Sequence, residues 1–71
     1  MKIAYDRDVD VLTIRLNDEQ ILESDEVDPG FIVDLGMDEK VIGLEILNAS
    51  KRVKDVGTVE LLNLRSVETV R

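Results

Sequence analysis

Residues 31–47 read FIVDLGMDEKVIGLEIL, and this stretch decides the fold. Two runs rich in branched aliphatic residues, 31–35 and 41–47, flank the polar sequence GMDEK. Such runs are typical of β-strands, and a short polar connection between two of them is typical of a hairpin. The stretch therefore predicts the two best-defined strands of an antiparallel sheet.

The register of this hairpin follows from strand parity. If the odd-numbered residues of 31–35 share a face with the even-numbered apolar residues of 41–47, the numbers of paired residues must sum to an odd value. A tight reversal at Asp38 and Glu39 makes that sum 77. The predicted pairs are Leu35 with Ile42, Asp34 with Gly43, Val33 with Leu44, Ile32 with Glu45 and Phe31 with Ile46.

This register predicts a small acidic notch. Asp34 faces a glycine, and Glu45 lies diagonal to it at a backbone distance of about 7 to 8 Å. We expect the notch to be open to solvent or to a partner chain. Buried carboxyl groups with raised pKa values would make it a site, whereas the alternative is a solvated sheet face that only keeps the protein soluble.

Residues 1–16 predict a second hairpin. Apolar residues alternate in 1–5 and again in 11–16, separated by the turn formers DRDVD. A common apolar face requires the pairs Tyr5 with Leu12, Ile3 with Ile14 and Met1 with Leu16.

The turn between these strands has aspartates at positions 6, 8 and 10, as the first half of a calcium-binding loop does. A helix-flanked calcium loop also needs glycine at its sixth position and glutamate at its twelfth, where this chain has Val11 and Asn17. The flanks moreover predict strands. We expect a solvated turn with Asx-type hydrogen bonds, and no metal or other cofactor.

The remaining segments complete the predicted fold. Residues 17–27 are mostly polar and predict a short or irregular edge strand, and Asp28-Pro29-Gly30-Phe31 predicts a turn with positive φ at the glycine. Asn48 can cap a short helix in ASKRVK that ends near Gly57, and 58–71 favours helix then strand. The expected fold is α+β, mostly β: an antiparallel meander of four to five strands with one or two short C-terminal helices. We expect residues 1–71 to form one domain, with the sheet in 1–47 and the helix and an ambiguous tail in 48–71.

Composition limits the function. The 71 residues include no cysteine and no histidine, which removes disulfides, the usual zinc ligands and the Ser-His and Cys-His nucleophile pairs, and we expect no enzyme. A net charge of −7 argues against nucleic acid and anionic membranes. With no signal sequence or membrane span apparent, we expect a cytoplasmic protein. So small a core predicts a homodimer or larger homo-oligomer.

Charge is unevenly distributed along the chain. Residues 1–50 hold 13 acids and 4 bases, a balance of −9, whereas 51–71 hold 3 acids and 5 bases, a balance of +2. A protein partner, if there is one, is therefore expected to be basic. The candidate interaction residues are the two carboxyl groups of the notch and three further positions, which makes five: Tyr5, Asp10, Asp34, Gly43 and Glu45.

The stretches MKIAYDRDVDVLTIRL, EVDPGFIVDLG and VIGLEILNASKRV together resemble the small prokaryotic family known as domain of unknown function 2283, over residues 1–53. The family pattern usually has a large residue where Thr13 stands. The resemblance implies a compact β-rich domain without an established activity, and it suggests an antitoxin-like partner of a small basic protein. The alternative is a ligand-binding or enzymatic module that uses Asp34, Glu45 and Tyr5 across a dimer interface.

Overall fold

The computed structural model describes residues 1–65, which form one antiparallel sheet of five strands and a short helix. The strands are β1 (Lys2–Asp6), β2 (Val11–Arg15), β3 (Glu23–Asp28), β4 (Phe31–Leu35) and β5 (Val41–Leu47). A 3₁₀ turn at Met37–Glu39 joins β4 to β5, and helix α1 (Ala49–Arg52) follows β5. The predicted class, α+β and mostly β, is confirmed.

The order of the strands across the sheet is β1-β2-β5-β4-β3. It differs from the sequential order of a meander because β2 pairs with β5, the last strand along residues 1–65. The connection from β2 to β3 passes the ends of β5 and β4, where the Leu16 N–H donates to Ile42 O (2.9 Å) and the Leu22 N–H donates to Leu35 O (2.8 Å). The fifth strand is therefore the central one.

The first hairpin has the predicted register. Tyr5 pairs with Leu12 and Ile3 with Ile14, while β1 begins at Lys2, so that the predicted pair Met1–Leu16 is not part of the ladder. In the turn, the Asp8 N–H donates to Asp6 Oδ1 at 2.9 Å, which confirms the predicted Asx-type hydrogen bond.

The register of β4 and β5 is confirmed for four pairs and wrong for the fifth. Phe31, Ile32, Val33 and Asp34 pair as predicted, but Leu35 pairs with Val41 rather than with Ile42. A β-bulge adds Ile42 opposite the step from Asp34 to Leu35, and parity arguments assume an unbroken ladder. The extra residue is useful to the fold, because the Ile42 side chain is fully buried beside Gly36.

Two more predictions concern β3. The turn before β4 has Gly30 at φ +82°, as predicted for the Pro-Gly sequence. β3 is an edge strand whose six residues are all exposed, and it too agrees with the prediction. Its four acidic residues form what we call the acidic edge: Glu23, Asp25, Glu26 and Asp28.

The C-terminal predictions are only partly correct. α1 ends at Arg52, so it is shorter than ASKRVK and Gly57 does not end it. Asn48 precedes the helix in a left-handed conformation (φ 53°) and its side chain makes no capping hydrogen bond, so the predicted cap is wrong. Residues 58–65 form neither helix nor strand, so the predicted helix there is wrong, and the strand predicted after it falls on residues outside the described range.

Most of the apolar surface is only half buried. Leu12, Ile42 and Ala49 are the buried hydrophobic residues of the described chain. Pairing places eight side chains on one side of the sheet, which we call the apolar face: Ile3, Tyr5, Leu12, Ile14, Phe31, Val33, Leu44 and Ile46. Leu12 is buried, six of the others are half-buried and Leu44 is exposed. Residues 1–65 include no helix of the length and hydropathy needed to cross a membrane.

Candidate functional site

The five candidate residues fall into two separate clusters. Asp34, Gly43 and Glu45 lie together on the side of the sheet opposite the apolar face. Tyr5 belongs to the apolar face, and its hydroxyl reaches Asp10 at the end of the first turn. The structure thus brings the two carboxyl groups together but does not bring Tyr5 to them.

Asp34 is the most buried polar residue of the described chain, with 1% of its surface exposed. Its Oδ1 accepts a hydrogen bond from Ser24 Oγ at 2.7 Å, and its Oδ2 lies next to Gly43. The predicted open notch is therefore wrong, because the Asp34 carboxyl group is covered and has partners. Ser24 was not anticipated, since β3 has no apolar alternation that would fix which of its residues face this side.

Glu45 lies beside Asp34 and is partly exposed. A hydrogen bond shared with Asp34, together with burial and the nearby negative charge, raises the pKa of Glu45 above its ordinary value. Two carboxyl groups in contact are stable when one holds a proton and donates it to the other. The pair can therefore store a proton, and it links β4 to the central strand on the face opposite the apolar one.

Gly43 makes room for this pair. A Cβ atom at position 43 would lie 3.2 Å from Asp34 Oδ2 and 3.2 Å from Ile14 O, the carbonyl of the neighbouring strand. The pattern of a glycine inside a strong strand, which predicted close approach of another group, is explained by these two contacts.

The second cluster joins the first turn to the chain after β5. Asp10 Oδ1 accepts hydrogen bonds from the Tyr5 hydroxyl (2.6 Å) and from the Ser50 N–H (2.9 Å), and Asp10 Oδ2 accepts one from Ser50 Oγ (2.8 Å). The Ala49 N–H donates to the Asp10 carbonyl at 3.0 Å. Asp10 thus bonds to both N–H groups at the start of α1, in the role that was predicted for Asn48.

Electrostatics agree with a structural role for this cluster. The hydrogen bonds from Tyr5 and Ser50 lower the pKa of Asp10, and the same contact with Asp10 raises the pKa of the Tyr5 hydroxyl. Both shifts favour the pair as it stands, a carboxylate that accepts a phenolic proton. A group in this state is a poor general base, because its lone pairs are already occupied.

Two surface concavities lie elsewhere. One is lined by Met1, Lys2, Arg15, Asn17 and Asp18, and the other by Glu19, Gln20, Leu22 and Met37. Neither includes Asp34 or Glu45, so the carboxyl pair does not open into either concavity.

The apolar face follows from the predicted registers of the two hairpins, but the sequence did not identify it as a candidate interaction surface. Leu44, near its centre, is 37% exposed, and the side chain of Arg52 crosses it at one corner, with the guanidinium carbon 4.7 Å from the centroid of the Phe31 ring. Exposed apolar patches of this kind mark interaction surfaces. The sequence did contain one indication of this surface: it shows no pattern for a long amphipathic helix that could cover the apolar side of the sheet.

Comparison with known families agrees with the resemblance. The family described as "Protein of unknown function (DUF2283)" matches residues 2–50, more than half of the chain. The matched range contains all five strands and both clusters of candidate residues. No curated protein and no solved structure matches the chain.

Proposed function

We propose that this chain, which belongs to the DUF2283 family, is a protein-interaction module and not an enzyme, and that it binds a basic protein through its apolar face. The observation that supports the proposal is the apolar face itself. It carries eight mostly apolar side chains, of which Leu44 on the central strand is exposed, and the Arg52 guanidinium lies over the Phe31 ring at one corner. A partner that covered it would remove this area from water.

Charge gives the partner its chemistry. Asp25 pairs with Val33 and Glu23 pairs with Leu35, so that both carboxylates stand at the border of the apolar face. A complementary partner has an apolar centre flanked by lysine or arginine. Opposite charges at the rim would accelerate association and select against acidic proteins, while the apolar centre supplies most of the affinity.

An antitoxin-like role fits this chemistry. An acidic protein that covers a functional surface of a small basic protein inhibits it without any catalytic group. In this proposal the module acts in the cytoplasm, and the half-buried sheet becomes fully buried only in the complex.

The alternative function, a carboxylate site, has one observation in its favour: the raised pKa of Glu45. Catalytic carboxyl groups often have such shifts. Against it, Asp34 is 1% exposed and its carboxyl group already has Ser24 and Glu45 as partners, so a substrate cannot reach it. The pair is better explained as a bond between strands.

The test starts with the tagged full chain in cells that naturally encode it. A captured protein is identified by mass spectrometry, purified and titrated by calorimetry against two variants. Leu44→Asp places a charge in the apolar face, whereas Ala4→Asp adds the same charge at an exposed position on the other side of the sheet.

We expect a basic partner whose affinity falls at least about tenfold with Leu44→Asp, the loss expected for a central interface residue, and changes less than about twofold with Ala4→Asp. Added salt should slow association. An acidic partner, or equal affinity for both variants, would contradict the proposal.

A further inference from the structure

We infer that the apolar face is occupied, when the basic partner is absent, by residues 58–65 of a second copy of this chain. We call these residues the C-terminal segment. The inference rests on the proposed function for the identity of the surface, and it adds what covers that surface in the protein alone. Three observations support it: the exposure of the segment, its chemistry and its length.

The segment is apolar and uncovered. Its four large hydrophobic residues are 60 to 82% exposed in the single chain: Val59, Leu61, Leu62 and Leu64. Its described backbone hydrogen bonds to the rest of the chain amount to one, from the Thr58 N–H to Asp55 O. A stretch this apolar is unfavourable in water and gains free energy by burial.

Its surroundings have the charge that the apolar face selects. The chain from residue 51 onward has a balance of +2, and Arg65 ends the segment, whereas residues 1–50 have a balance of −9. The segment itself, with Glu60 and Arg65, is neutral, so it shares the apolar side chains of the proposed partner and is preceded by the basic residues of 51–57.

Its length matches the sheet. Eight residues of extended chain span about 26 Å at about 3.3 Å per residue, and five strands spaced about 4.8 Å apart span about 19 Å between the outer two. One segment can therefore cross the whole apolar face.

A second copy, rather than the same chain, is the occupant that these observations favour. In the single chain the segment leaves the sheet and keeps its leucines in solvent. Reciprocal exchange between two copies covers two faces with two segments and closes with two-fold symmetry. It also supplies the burial that a chain of 71 residues without disulfides needs. A basic partner then binds by displacing the segment.

The first experiment measures the mass of the full chain in solution by light scattering. We compare wild type with the double variant Leu61→Asp, Leu64→Asp, and with Asn63→Asp as a control that adds charge to the segment without removing an apolar side chain. We expect wild type and Asn63→Asp to be dimers at micromolar concentration and the double variant to be a monomer. Circular dichroism establishes that each variant keeps its strands.

The second experiment locates the segment. Because the chain has no cysteine, single substitutions give unique thiols: Asn63→Cys in the segment and Asp25→Cys on the acidic edge. The two single variants are mixed, with Asp25→Cys tagged, and treated with a short bis-maleimide. We expect a covalent heterodimer, and its loss when the Asp25→Cys chain also carries Leu44→Asp on the apolar face.

Several results would overturn the inference. They are a monomeric wild-type protein, a double variant that remains dimeric while Leu44→Asp is monomeric, and the absence of a covalent heterodimer when the two single-cysteine variants are mixed. None of these bears on binding of a basic partner. Conversely, a partner that binds Leu44→Asp as tightly as wild type would end the proposed function but leave the segment exchange intact.

Discussion

A methyl group on Gly43 would stand 3.2 Å from both Asp34 Oδ2 and Ile14 O, and the second of these is backbone in a strand ladder. We therefore expect Gly43→Ala to reduce the free energy of unfolding by about 1 to 3 kcal/mol, as overpacking commonly does. Denaturant titration measures this.

The matched control is Gly57→Ala, where an added Cβ meets no atom within 4 Å. That substitution should leave stability unchanged or raise it by up to about 1 kcal/mol, through the unfolded state. Equal effects at the two positions would mean that the contacts of Gly43 do not matter.

The carboxyl groups give stability two opposite pH dependences. The pKa of Glu45 is raised in the folded chain, so its contribution is complete below its ordinary value of 4.5 and is lost as pH rises through the raised value. The pKa of Asp10 is lowered, so its contribution is complete above its ordinary value of 3.8 and is lost as pH falls.

Glu45→Gln separates the two effects. The amide can donate to Asp34 at every pH, so we expect the variant to be more stable than wild type at neutral pH and to lose the decline above pH 4.5. Melting temperatures from pH 4 to 8 test this, with Glu39→Gln at an exposed position as the control. Parallel curves for Glu45→Gln and wild type would show that the shared proton is unimportant.

At the scale of residues, the sequence predicted which residues pair across strands better than which side chains surround a given residue. Parity placed Asp34 opposite Gly43 correctly, because each strand alternates clearly. It could not place Ser24, since β3 is polar on both sides, and the burial of Asp34 depends on that strand. Asp10 was a candidate, but its bonds to Ser50 join residues forty positions apart, which no local pattern encodes.

Among the elements, β3 needs its charges because it is an outer strand of the sheet. Replacing Asp25 and Glu26 together by threonine would leave a β-forming strand with open backbone groups and nothing to repel a second sheet. We expect the double variant to aggregate at concentrations where wild type does not. Light scattering over time measures it.

The control for the edge removes the same charge elsewhere. Asp8→Thr with Asp18→Thr alters exposed residues outside the strands and should not promote aggregation. If this control aggregates equally, net charge and not the edge keeps the protein dispersed.

The turn between β1 and β2 leads to a prediction about calcium. Asp6 accepts the Asp8 N–H, and the Asp10 carboxylate is bonded to Tyr5 and Ser50, so two of the three aspartates already have partners. Millimolar calcium should leave the melting temperature unchanged. A rise of several degrees that a chelator reverses would show that the turn binds the ion.

The elements also show where pattern stops being informative. Residues 36–40 predicted a reversal, and the structure has one there. Asp38 and Glu39 both adopt left-handed conformations, which a glycine at these positions would have indicated but an aspartate and a glutamate do not. The bulge that follows from this turn geometry moved Leu35 by one partner. The helix after β5 was predicted in place, but it ends early because Val53 is already extended.

For the whole molecule, self-association makes stability depend on concentration. If two chains fold and assemble together, the melting temperature should rise by about 5 °C for each tenfold increase in protein concentration. Calorimetry from about 5 to 500 μM tests this. The Leu44→Asp variant should show no such rise, and a concentration-independent wild type would argue for a monomer.

The strand order was beyond the reach of the sequence for a physical reason. Each hairpin is specified by neighbouring residues, through turn chemistry and alternation. The pairing of β2 with β5 joins the two hairpin units across the chain, and any strand with an apolar side could have competed for that position.

The position of β5 has a consequence for synthesis of the protein. Its two neighbours, β2 and β4, leave the ribosome before it does, so each must wait with one hydrogen-bonding edge unsatisfied until Leu47 has emerged. The sheet is then completed at its middle, when β5 pairs with both waiting strands. A chain released before that point would have two separate hairpins, β1-β2 and β3-β4, each with an unpaired strand edge. We expect such a chain to be a substrate for proteolysis.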